Sequence, residues 1–101
     1  MQPHTLEGNV NKSDMITILA EKKSVPVKVS EEIINTIFNS MTDTMIAGGK
    51  IEIRGFGSFV IKEYAGYSGR NPKSGLAVEV KPKKSPFFKV GKELKERVDG
   101  M

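Results

Sequence analysis

The sequence predicts an α+β fold, in which two helices lead into a three-stranded antiparallel sheet and a short helix ends the chain. Three observations carry that expectation. Apolar residues between Met15 and Met45 recur at three- and four-residue steps, the spacing of a helix face. From Ile51 the apolar period changes to two, as in a half-buried strand. Between Gly66 and Gly75 the chain is punctuated by Gly, Asn and Pro and holds few apolar residues, so a hairpin tip there has nothing with which to fold back into a core.

Residues 1–10 show no periodicity and include Pro3 and Gly8, which reads as a flexible tail. Asn11 suits an N-cap, with Asp14 in the first turn at the positive end of the helix dipole. Met15, Ile16 and Leu19 form its apolar stripe, and Glu21-Lys22-Lys23-Ser24 closes this first helix. Val25-Pro26 makes a turn, with Pro26 in the first turn of the next helix, where its missing N–H costs little. In that second helix Ile33, Ile34, Ile37, Phe38, Met41 and Met45 are the expected core and dimer seam, and Gly48-Gly49 ends it. Ile51 and Ile53 then alternate with Lys50, Glu52 and Arg54. Gly55-Phe56-Gly57-Ser58-Phe59 supplies a tight turn and two rings for the core. Val60–Tyr64 and Val78–Lys81 are the sides of a long hairpin with its tip at Arg70–Gly75. Pro86-Phe87-Phe88 is a short apolar strand, and Gly91–Val98 a short helix with Leu94 and Val98 inward. No internal repeat is present.

Composition narrows the chemistry. The 101 residues amount to one domain, and at 38% hydrophobic and 7% aromatic its core is lean enough that sharing it in a dimer would help. Absence of Cys removes disulfides, thiolate metal sites and cysteine nucleophiles, and a single His, His4, argues against a zinc site or a His-based triad. The chain has neither an apolar run of the ~20 residues a membrane span needs nor a signal-like start, so an intracellular protein is expected. Gly55-x-Gly57 lacks the third glycine and the helix of a dinucleotide loop, Gly49-Lys50 is followed by Ile51 rather than Ser or Thr, and Glu31-Glu32 reads as a solvated helix face. No enzyme and no cofactor are expected.

Charge is asymmetric: residues 1–49 carry a net −2 and residues 50–101 a net +6, giving the overall +4. Such a split fits either a solvated basic face or a surface that meets a polyanion, most simply nucleic acid. Arg70, Lys73, Lys81, Lys83, Lys84, Lys89 and Lys92 fall in one stretch whose acid is Glu79. On a hairpin, Arg70 and Lys73 occupy the tip and Lys81, Lys83 and Lys84 run down the return strand, along a ribbon narrow enough for a DNA groove. Arg70 suits the negative minor groove and Asn71 its A·T acceptors. Pro72 has two readings: turn chemistry, since Asn-Pro starts turns, or an apolar wedge between base steps.

Gly55-Phe56-Gly57-Ser58-Phe59, Gly69-Arg70-Asn71-Pro72-Lys73-Ser74-Gly75 and Pro86-Phe87-Phe88-Lys89-Val90-Gly91-Lys92-Glu93-Leu94 resemble, in order and spacing, the bacterial histone-like HU and integration host factor family. Ile51-Glu52-Ile53-Arg54-Gly55 and Val25-Pro26 resemble its integration host factor beta branch. The resemblance implies one domain over residues 11–101 with an arm at about 62–82, in an intertwined dimer with a helical body, a three-stranded antiparallel sheet per chain and protruding β-ribbon arms. It further implies a nucleoid-associated cytoplasmic protein that binds the minor groove of double-stranded DNA and bends it, as a homodimer or with a related subunit. Pro72 would be the intercalating wedge, Arg70, Asn71 and Lys73 its neighbouring contacts, and Lys12, Lys81, Lys83, Lys84 and Lys92 phosphate contacts. Glu52 and Arg54 match a pair that discriminates sequence. The alternatives are an HU-like binder without sequence preference and a protein-interaction module. Where family arms often carry arginines, this chain has Tyr64 and Tyr67.

Overall fold

A computed structural model describes residues 8–100. Most of the expected tail, residues 1–7, lies outside the described residues, while Gly8, Asn9 and Val10 are exposed and without regular structure. The chain forms two compact units that divide after Thr42.

The first unit begins with α1, Lys12–Lys23. Asn11 Oδ1 accepts from the Asp14 N–H at 2.9 Å while Asp14 Oδ2 accepts from the Asn11 N–H at 3.0 Å, a reciprocal cap worth ~1 kcal/mol. Asp14 thus bonds the backbone directly, beyond its expected place in the dipole. Ser24 closes the helix in the left-handed conformation. In α2, Val27–Ile46, the carbonyl of Pro26 accepts from the Ser30 N–H, so Pro26 stands at the N-cap, just before the position expected for it. Ser30 is fully buried, and its Oγ donates to the Ile16 carbonyl at 2.6 Å, tying α2 to α1. At the other end Gly48 is left-handed, and the N–H groups of Gly48 and Gly49 donate to Met45 and Thr44, a glycine stop of the kind the sequence announces.

The stripe expected to be core is only partly so. Among the described residues the buried apolar side chains are Ala20 and Ile34, whereas Ile33, Ile37 and Phe38 are exposed. Two helices can cover one shared stripe, and the apolar arc of α2 is wider than that.

The second unit holds β1 (Ile51–Ile53), β2 (Gly57–Tyr64), β3 (Tyr67–Arg70), β4 (Ala77–Val80), β5 (Lys83–Val90) and α3 (Lys92–Val98). The antiparallel order β1-β2-β5 is the expected three-stranded sheet. β5 is longer than the apolar triplet Pro86–Phe88 implies. Its Ser and Lys flanks carry no apolar signal, but they pair with β2 over its whole length. Pro86 is tolerated because β5 is an edge strand. By alternation Ile51, Ile53, Phe59, Ile61, Pro86 and Phe88 share one face, and Glu52, Ser58, Val60, Lys62, Lys83, Phe87 and Lys89 the other. Phe88 packs between Phe56 and Phe59, with centroid distances of 5.4 and 4.9 Å. Phe59 is half-buried and Phe56 exposed, so the aromatic cluster caps the sheet end rather than filling a closed core.

The turn after β1 places Gly55 in the left-handed region, and the Phe56 carbonyl accepts from the Gly91 N–H, fixing where α3 starts. Leu94 is half-buried as expected, but Val98 is 76% exposed, because α3 ends there with no layer of its own unit beyond it.

Gly57 is buried, and a Cβ there would lie 2.5 Å from the Lys89 carbonyl oxygen and 2.6 Å from the Phe88 ring. Gly57→Ala is therefore expected to cost ~2–3 kcal/mol, read as a lower urea midpoint. Ser30→Ala, which removes a buried hydrogen bond without adding bulk, is expected to cost ~1–2 kcal/mol by the same measurement.

Candidate nucleic-acid interface

Past Phe59, β2 has no partner on the β1 side, and the β2–β5 pair continues alone as a two-stranded ribbon. Pairing lapses at Ala65-Gly66 and Lys81-Pro82, two residues on each strand, and resumes from Tyr67↔Val80 to Arg70↔Ala77 in the same register. The expected long hairpin is thus present, with a joint in it. At the joint a Cβ on Gly66 would meet the Val80 carbonyl oxygen at 2.7 Å and the Pro82 Cδ at 2.8 Å, so the strands approach as only glycine allows.

The tip is organised by Asn71. Its Oδ1 accepts from the N–H groups of Lys73 at 2.8 Å and Ser74 at 3.3 Å, while its main-chain carbonyl accepts from the Gly75 N–H at 2.7 Å. Because backbone donors hold the oxygen, the amide NH2 is the end of Asn71 left for other acceptors. Arg70 reaches across to the Gly75 carbonyl at 3.3 Å, which keeps its guanidinium at the tip with further donors to spare. Pro72 is exposed at the apex, and the loop's bonds are made by its neighbours.

The cations expected along the return strand divide between the two ribbon faces. Lys83 stands over the Tyr64 ring at 5.6 Å, and Lys62, on the same face, lies 3.6 Å from the Phe87 centroid. Lys84 points to the opposite face and pairs with Glu63 at 3.6 Å, a solvent-exposed contact of little energetic weight. Lys81 is exposed at the joint. Lys62 was legible only through register: its spacing from the other cations is unremarkable, but alternation puts it beside Lys83. Glu52, Ser58 and Lys89 form a row across the three strands, and Glu52 and Arg54 line one shallow concavity with Ser58 and Gly91. Lys92 is the first residue of α3, and Lys12 the first of α1 in the other unit. Among the described residues no cluster of His, Cys, Asp or Glu could hold a metal ion, and no helix is long and apolar enough to cross a membrane.

If Asn71 sets the tip, Asn71→Ala should speed amide exchange at Lys73 and Ser74 by about tenfold while leaving the Gly57–Tyr64 ladder protected. Uniform exchange across the ribbon would refute that role.

Comparison with known proteins bears on what this surface meets. The model of the family described as "Bacterial DNA-binding protein" matches residues 10–99. Integration host factor subunit beta of Shewanella halifaxensis is 47% identical over 93 residues, covering 91% of this chain and 98% of that protein. DNA-binding protein HU-1 of Halalkalibacterium halodurans is 38% identical over 90 residues, covering 89% and 100%. Among solved structures, HU in the Anabaena HU–DNA cocrystal superposes with a TM-score of 0.78 at 30% identity, over 91% of this chain and 100% of that one. The chain belongs to the bacterial DNA-binding protein family that contains HU and the integration host factor subunits.

Proposed function

We propose that this chain is an architectural DNA-binding protein whose ribbon arm enters the minor groove and bends the duplex. The observation that carries the reading furthest is the tip: Asn71 satisfies the loop's hydrogen bonds, so Pro72 stands exposed at the apex as an apolar group flanked by Arg70 and Lys73. An exposed ring in that position suits insertion between base steps, with the turn chemistry assigned to its neighbour. Arg70 and the Asn71 NH2 would read the groove, and Lys73, Lys81, Lys83, Lys84, Lys92 and Lys12 would neutralise phosphates. Glu52 beside Arg54 would orient the guanidinium or reject unsuitable base edges, a basis for sequence preference of the integration host factor kind. Bending a site by 40–90° costs ~1–6 kcal/mol, which the extra phosphate contacts offset.

Two further elements belong to the reading. Ala20 and Ile34 are the buried apolar side chains among the described residues, while Ile33, Ile37, Phe38, Ile53 and Val98 are exposed. This fits a second copy, or a related subunit, completing the core. The family model runs across both units, which supports treating residues 11–101 as one domain. A protein with this task works in the cytoplasm on the nucleoid, and the reading assigns it no catalysis and no cofactor.

A salt titration on a ~35-base-pair duplex with fluorophores at both ends tests the proposal. Affinity should fall with a log–log slope of ~0.9 per phosphate contact while end-to-end energy transfer rises. Salt-insensitive binding, or none, would remove the DNA reading. Pro72→Ala should stay folded and bind but give less energy transfer; an unchanged value would remove the wedge. Affinity ratios between mixed-sequence and candidate-site duplexes at one salt concentration separate a site-specific binder from a general one.

A further inference from the structure

Two lysines on one face of the β2–β5 pair rest on aromatic rings, while a lysine on the other face rests on an acid. The rungs Val60↔Phe87, Lys62↔Ser85 and Tyr64↔Lys83 put all six of these side chains on the first face, and none is acidic. Lys83 lies directly opposite Tyr64, its Nζ 5.6 Å from the ring centroid. Lys62 is the diagonal neighbour of both Phe87 and Lys83, about 7–8 Å away along the ladder. Its Nζ sits 3.6 Å from the Phe87 centroid, so the half-buried side chain leans toward the ring and away from the like charge of Lys83. Lys84, on the opposite face, pairs instead with Glu63 at 3.6 Å. The two kinds of partner leave different things behind. A carboxylate cancels the charge of the lysine it holds, whereas a ring holds the ammonium by its quadrupole and leaves the positive charge in place.

We infer that Phe87 is a positioning residue: its ring holds the Lys62 ammonium in place and uncancelled, ready for a phosphate on the DNA-binding reading above. Periodicity makes Phe87 look like a core residue of the Pro86-Phe87-Phe88 triplet. Alternation instead turns Phe88 to the cluster with Phe56 and Phe59 and Phe87 to the other face, where it is 39% exposed and meets Lys62. A ring left out of the core and set under a lysine serves that lysine. An ammonium fixed before the encounter has less rotamer freedom to lose when it meets a phosphate, so the ring adds affinity through Lys62 and none of its own.

The test uses the full chain, with the end-labelled duplex for affinity and salt slope and side-chain NMR on the free protein. In the free parent the Lys62 ε-methylene protons should resonate upfield of those of the other lysines, as protons above a ring do, and Phe87→Leu should return them to the common position. Phe87→Leu keeps an apolar group on the strand and should weaken binding about three- to fivefold, while Phe87→Tyr, which keeps the ring, should stay within about twofold. Lys62→Met should lower the salt slope by ~0.9, and in that background Phe87→Leu should have no further effect. A ring that only supported the strand would cost the same with or without Lys62, so equal losses in the two backgrounds would overturn the inference. So would a leucine variant that binds as the parent does, or Lys62 protons at the common position in the free parent, a result that needs no variant to fold. Failure of the parent chain to bind DNA would overturn the underlying reading as well.

Discussion

The backbone ladder between β2 and β5 is the constraint on which the rest of the second unit depends. It begins at Gly57, where the missing side chain lets the Lys89 carbonyl and Phe88 ring close in, and it sets one register that persists through the joint to Arg70↔Ala77. Every assignment of a side chain to a face of the ribbon follows from that register. A slip of β5 by one residue against β2 would carry Lys83 to the side now held by Phe59 and Ile61, and Phe88 to the side of Lys62 and Tyr64. The apolar residues in the inner half resist such a slip, while the outer half, with few buried groups, inherits its register from them.

Periodicity made much of this legible. The switch from helical to alternating spacing at Gly48-Gly49 locates the change from helices to sheet, because glycine there meets a left-handed backbone requirement. The turn at the tip was equally readable, since Asn71 and Gly75 make the bonds their turn roles suggest. What the pattern could not supply was anything set by partners distant in sequence. The extent of β5 depends on the strand beside it, and the separation of Lys83 from Lys84 onto opposite faces depends on pleat rather than proximity. Ser30 is the clearest case: a lone serine on a helix carries no signal of burial, yet it is fully enclosed because its hydroxyl finds the Ile16 carbonyl.

Burial was overestimated for a similar reason. Ile33, Ile37, Phe38 and Val98 read as inward because they are apolar and correctly spaced, but spacing identifies a face and not what lies against it. On the proposed reading, in which a second copy or a related subunit completes the core, such a face would be left open on the single chain. The wide apolar arc of α2 is the stretch on which the dimer seam was expected.

The lapse in pairing at Ala65-Gly66 and Lys81-Pro82 gives the arm a mechanical character. Pro82 has no N–H to offer the ladder and Gly66 no side chain to brace it, so resistance to bending is lowest across these four residues. A bend placed there breaks no ladder hydrogen bond of the strands on either side. On the proposed reading, an arm that seats on a curved duplex would lose entropy chiefly at one articulation instead of over the whole hairpin. The same articulation would, on that reading, let the arm follow duplexes of differing curvature without breaking the ladders on either side.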